Sequence, residues 1–174
     1  MINHSVSFPH FLKVYDNALQ DLGSILAGAG YKKVVIYFGN DLIDLFGNTV
    51  MTSLKEAGVE VLSYKEMDII DMQELMEFAF TLPGGTQAIL GIGGGKVIDA
   101  AKYMCFLKEL PFISIPTSTS SDGFASSSAS LLLHGKRNSV PAVMASGIVV
   151  DTQVIRTAPE RFIYSGIGDM ISKI

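Results

Sequence analysis

Between residues 32 and 151, short apolar runs alternate with helix-forming stretches, and that alternation leaves few architectures open. The runs "KKVVIYFG" (32–39), "VEVLSY" (59–64), "QAILGIG" (87–93), "PFISIPT" (111–117) and "GIVVD" (147–151) have the length and residue types of buried strands. Between them, "DLIDLFGNTVMTSLKEAG" (41–58), "DMQELMEFAF" (71–80) and "GKVIDAAKYMCFLKE" (95–109) read as helices. Strands that are apolar on both faces belong to parallel sheets covered by crossover helices. Right-handed crossovers then give an α/β fold with an open, doubly wound, mostly parallel sheet.

Other regions break the rhythm. "VSFPHFLKVYDN" (6–17) reads as extended, with Asn17 as the cap of a helix over 18–29. The tract "TSTSSDGFASSSAS" (117–130) has the low complexity of a linker, but apolar strands bracket it closely, which predicts an ordered loop. "LLLHGKRNSVPAVM" (131–144) reads as a β-hairpin insertion turning near Gly135. Thr157-x-x-Glu160 has the form of a capping box opening a final helix.

The stretch "GIGGGKVIDAAK" (91–102) sets glycines between a buried strand and a helix. Helix N-termini present unpaired N–H groups and about half a positive charge, so an anion is stabilised there when no side chain intervenes. Strand, glycine turn and helix are the context of a Rossmann-like dinucleotide site. Yet Lys96 stands where G-x-G-x-x-G has its last glycine, and Val97 after the lysine does not fit a P-loop. A tight turn that binds nothing remains the alternative, weakened by Lys96, whose ammonium would suit a phosphate. In the helix, Val97, Ile98, Ala101 and Cys105 share the face toward the sheet, while Asp99 and Lys102 point elsewhere.

Composition narrows the function classes. A net charge of −4 without a basic patch argues against nucleic acid, and the densest basic cluster, Gly135–Arg137, reads as an exposed turn. No apolar run reaches the ~18 residues of a membrane span, and the N-terminus lacks the pattern of a signal peptide. A single cysteine, Cys105, fits a reducing cytoplasm. Only 17% of residues are charged and mean hydropathy is +0.37, which points to a surface partly buried against something else, such as further copies in a homo-oligomer.

"GIGGGKVIDAAK", "PTSTSSDG" and "GIGDMISK", in that order, resemble the N-terminal half of the metal-dependent polyol dehydrogenases. These are the glycerol and glycerol-1-phosphate dehydrogenases, in the superfamily of iron-containing alcohol dehydrogenases and dehydroquinate synthase. The resemblance implies an NAD- or NADP-dependent enzyme oxidising a small polyol or polyol phosphate, with a divalent metal, zinc in most members. Gly93, Gly94, Gly95 and Lys96 would lie along the cofactor pyrophosphate with Asp99 nearby. Thr117, Ser118 and Ser120 would offer hydroxyls to the cofactor, and Ser126 and Ser128 would line its nicotinamide end. Asp122 would contact the polyol, and Asp169 would ligate the metal and touch substrate. By itself, Asp169 also reads as a carboxylate serving a helix dipole. The chemistry is consistent: a divalent metal lowers the pKa of an alcohol, whose hydride then passes to the nicotinamide.

The sequence departs from the family at two places. Asn40, followed by Asp41, stands where an aspartate usually holds the adenosine ribose, so selectivity for NAD over NADP is not implied. Leu132 replaces a family tyrosine near the nicotinamide. The family also completes its metal site with two histidines from a helical C-terminal domain that this chain is expected to lack, residues 1–160 being the dinucleotide-binding domain and 161–174 only the start of the second. His4, His10 and His134 read as solvated surface. A non-catalytic nucleotide-binding module and a dehydroquinate-synthase-like lyase are the competing readings.

Overall fold

The computed structural model describes residues 8–172. Among them, six parallel strands form one sheet in the order β1-β8-β5-β4-β2-β3. These strands are β1 (Phe11–Tyr15), β2 (Lys33–Phe38), β3 (Glu60–Glu66), β4 (Ala88–Gly93), β5 (Phe112–Pro116) and β8 (Gly147–Asp151). Strands β6 (Ser128–Leu133) and β7 (Lys136–Pro141) pair antiparallel as a separate hairpin. Its turn, His134–Gly135, has φ of 52° and 74°, the double left-handed geometry that suits the twist of a two-residue hairpin.

Helices cover both faces, which is why β2, β4 and β5 are apolar almost throughout. On one face α1 (Leu22–Gly28) and α2 (Asn48–Glu56) close over Val34, Ile36, Phe38, Leu90 and Ile92. On the other, α3 (Met72–Phe80), α4 (Gly95–Lys108) and the hairpin close over Val35, Tyr37 and Ile89. Each fully buried aliphatic side chain of these two layers contributes ~1.5–3 kcal/mol. As expected, Val97, Ile98, Ala101 and Cys105 are buried. Lys102 is buried too, because α4 lies beneath α3 and the hairpin as well as on the sheet.

Three local expectations are corrected. Asn17 does not cap the following helix: it sits at φ 63°, and its side chain makes no capping bond. The carboxylate of Asp151, at the end of β8, accepts the N–H groups of Asn17 and Leu19 instead, each at 3.0 Å. That region is a 3-10 turn over Ala18–Asp21 before α1, not one continuous helix. Nor do Thr157 and Glu160 form a capping box. The Thr157 hydroxyl donates back to the Val154 carbonyl, ending α5 (Thr152–Thr157), and Glu160 is itself the N-cap of α6 (Arg161–Ile171). Finally, the helix expected from residue 41 starts later: Asp41 is left-handed at φ 63°, and Ile43–Gly47 forms a π-helical turn ahead of α2.

Candidate functional site

The strand order reverses between β2 and β4: α2 carries the chain outward to β3, whereas α4 carries it the opposite way to β5. In open α/β sheets, ligands bind beyond the carboxyl ends of the strands at such a point. A cleft of about 440 Å³ opens there, within the range of small-ligand sites. Its walls follow the ends of β2, β3, β4 and β5, with part of α6 completing them.

The glycines of the βα turn divide into two kinds. Gly93 has φ 151°, and a Cβ on it would meet Val97 Cγ1 at 2.6 Å, so the turn itself requires glycine there. Gly94 and Gly95 are under no such constraint. A Cβ on either would meet only a serine hydroxyl, Ser118 or Ser121, at 3.8 Å. Both line the cleft, and Gly94 caps the 14-residue helix α4 without a side chain. The first-turn donors of α4 therefore stand against open space that methyl groups would begin to fill.

Thr117, Ser118 and Ser120 line the same cleft, and Ser118 and Ser120 hydroxyls lie 3.3 Å apart. Asn40 lines it from the end of β2; Asp41 does not. Lys96 is there too, its ammonium 2.6 Å from a carboxylate oxygen of Asp68. The Lys96 hydrogen bond, with a lesser one from Asn40, holds the Asp68 carboxyl below the usual carboxylate range. Asp68 was not anticipated, although it follows the end of β3, where position alone could have marked it. Leu45, Phe46 and Phe162 were also missed; they add large apolar side chains to the lining of the cleft.

The remaining sequence-predicted residues, Asp99, Asp122, Ser126, Ser128 and Asp169, do not line the cleft. Asp99 pairs with Lys102 at 3.2 Å and accepts the Ser130 N–H at 3.1 Å. The Ser126 hydroxyl accepts from Lys102 at 3.0 Å, and Ser128 begins β6. Asp122 donates its N–H to the Asp169 carboxylate at 3.1 Å, joining the serine-rich loop to α6. Gly166 makes that joint possible, since a Cβ there would run into the Thr119 carbonyl.

Residues 13–159 match the family described as iron-containing alcohol dehydrogenase. The chain belongs to that family. It is 36% identical over 170 residues to a glycerol-1-phosphate dehydrogenase [NAD(P)+] of Methanosarcina acetivorans, covering 96% of this chain and 47% of that protein. It is 39% identical over 145 residues to the protein of the same name from Thermoplasma volcanium, covering 82% of this chain and 41% of that one. The crystal structure of glycerol dehydrogenase from Schizosaccharomyces pombe superposes with a TM-score of 0.84 at 27% identity, over 98% of this chain and 44% of the other. The chain thus spans about half the length of the relatives it matches.

Against that family background, the two groups that the cleft would serve fit unequally. The open Gly94–Gly95 cradle, the hydroxyls beside it and the apolar side chains suit a dinucleotide. A metal is different. A catalytic zinc takes three protein ligands, and among the described residues no three His, Cys, Asp or Glu side chains come together. Asp169 is one carboxylate, and its oxygen already takes the Asp122 N–H. His10 and His134 are exposed, and His4 lies outside the described residues. These residues do not complete a metal site, and no helix among them is long and apolar enough to cross a membrane.

Proposed function

We propose that this chain is the NAD(P)-binding part of a metal-dependent dehydrogenase that oxidises glycerol 1-phosphate, with free glycerol as the second candidate substrate. The observation that carries the reading is the pair Gly94 and Gly95, free of steric need yet facing a cleft at the helix terminus. The N–H groups of the first α4 turn would hold the pyrophosphate, Thr117, Ser118 and Ser120 would donate to it or to the ribose, and Leu45, Phe46 and Phe162 would enclose the adenine. When bound, the nicotinamide supplies the hydride acceptor. Asp122 and Asp169, tied together across the loop and α6, would orient the polyol hydroxyls. The phosphorylated substrate is favoured because the curated relatives cited above carry that name.

The domain reading extends this. We take residues 1–160 as the nucleotide-binding unit and 161–174, which include α6, as the start of a second, helical unit that would bring the remaining metal ligands. Support comes from the outward side of α6, where Ile163, Tyr164, Ile167, Met170 and Ile171 are exposed at helical spacing. A homo-oligomer would be another way to cover them.

The test is an assay of the protein joined to the portion its relatives carry beyond the matched half. Reduction of NAD⁺ or NADP⁺ at 340 nm with glycerol 1-phosphate, lost on chelation and restored by a divalent metal, is the expected result. Uptake of the dinucleotide with no net reduction on either polyol would favour the lyase or the non-catalytic module.

A further inference from the structure

Lys102 is fully buried, in the middle of α4. An ammonium in such a place is costly unless its protons are all satisfied. Here they are: Lys102 Nζ donates to the Gly123 carbonyl at 2.7 Å, the Ser126 hydroxyl at 3.0 Å and the Ser128 carbonyl at 2.5 Å, and it lies 3.2 Å from Asp99. Apart from Asp99, every one of those acceptors belongs to residues 123–128. Gly123 and Ser126 lie between β5 and β6, where the chain has no strand or helix ladder to fix it, and Ser128 begins β6. The second oxygen of Asp99 takes the Ser130 N–H, extending the same attachment by two residues.

The helix that makes these bonds is the one whose first turn lines the cleft. Both ends of the site are thus referenced to one rigid element: Gly94–Gly95 at its start, and the loop bearing Ser120 and Asp122 through Lys102, two turns on. We propose that Lys102, with Asp99, is a positioning residue that clamps residues 123–128 onto α4 and so fixes the serine-rich loop relative to the glycine cradle. The proposal rests on the reading of the cleft as a dinucleotide site. Desolvation lowers the pKa of Lys102, with Asp99 opposing the shift; the two carbonyls and the carboxylate around Nζ can only accept, which favours the protonated form.

The test compares Lys102→Met, which keeps the stem and removes the charge, with Asp99→Asn/Lys102→Met, which also spares the chain an unpaired carboxylate. Leu54→Ala, in the core on the opposite face of the sheet, serves as a control that loses stability without touching the loop. Amide hydrogen exchange is followed in residues 121–130, and NAD(H) affinity is measured well below the unfolding temperature. Exchange in 121–130 is expected to quicken at least tenfold in both Lys102 variants while β2 and β4 keep their protection. The Kd for NAD(H) is expected to rise at least tenfold in both, and to stay near the wild-type value in Leu54→Ala. Unchanged loop protection would overturn the clamp. Faster exchange with unchanged affinity, or an affinity loss matched by Leu54→Ala, would overturn the positioning role. A wild-type protein that takes up no dinucleotide would remove the coenzyme reading and this role with it, a result that the exchange data distinguish from a failure of the clamp. If Lys102→Met does not fold, the double variant decides.

Discussion

At the scale of the residue, the three glycines where β4 turns into α4 do different work, and substitution separates them. Gly93→Ala forces a methyl against Val97 and a strained φ, and is expected to cost on the order of 2–3 kcal/mol in a urea titration. Gly94→Ala and Gly95→Ala meet nothing closer than 3.8 Å, so stability should stay within about 0.5 kcal/mol while dinucleotide affinity falls tenfold or more. A loss of stability at all three positions would mean that the turn alone explains them. Sequence reading located this turn because strand, glycine and helix are written consecutively, but it could not divide the glycines, since Val97 and Gly39 close on Gly93 only in the folded chain. Position after β3 could have marked Asp68, but its partners were hidden for a related reason: it comes to Asn40 and Lys96 through the pairing of β2 with β3. In the proposed site its carboxylate would stand near the ribose and should disfavour a 2′-phosphate. Asp68→Asn, which also releases Lys96, is expected to raise NADP(H) affinity several-fold relative to NAD(H) in paired titrations. An unchanged ratio would place selectivity elsewhere.

Elements are positioned by a few polar residues at their ends, and Asp151 holds more of them than any expectation assigned to it. Besides Asn17 and Leu19, its carboxylate accepts the N–H groups of Gln153 at 3.0 Å and Val154 at 3.4 Å. One buried side chain thereby caps α5 and ties the turn after β1 to the end of β8. Asp151→Ala should destabilise by about 2–4 kcal/mol, measured by thermal or urea unfolding, with Asp151→Asn costing less. A change under about 0.5 kcal/mol would show the cap to be dispensable. Strand and helix existence was legible for every element except the short α5, because hydrophobic period is a local property and six residues are too few to show one. Caps were not: Asn17 and Thr157 carry the right residue types, but Asp151, more than 130 residues from Asn17, supplies the oxygens there, and the Thr157 hydroxyl turns back to Val154. The place of Lys102 off the sheet face was legible, but its burial was not, since that follows from α3 and the hairpin closing over α4.

At the scale of the whole molecule, the doubly covered sheet makes stability depend on pH through a group with no part in the site. Burial pushes the Cys105 thiol far above its ordinary value of 9.0, and burial likewise pushes Tyr37 up to about 12. Above pH 9 the unfolded chain gives up the thiol proton while the folded chain keeps it. The unfolded state then binds fewer protons, so stability falls as pH rises, by up to about 1.4 kcal/mol per pH unit, and below pH 9 the thiol contributes no slope. Between pH 9 and 10 the unfolding free energy of the wild type should fall more steeply than that of Cys105→Ala; parallel curves would contradict the burial of the thiol. The architecture itself exists to bring the ends of β2, β4 and β5 around one cleft, and what enters that cleft decides the function. The direct measurement is a calorimetric titration of the chain with NAD(H) and NADP(H), beside the Gly94→Ala/Gly95→Ala double variant. The account predicts saturable, one-to-one heat with the wild type that the double variant loses at equal stability. A flat wild-type titration, or heat unaltered by the two methyl groups, would contradict it.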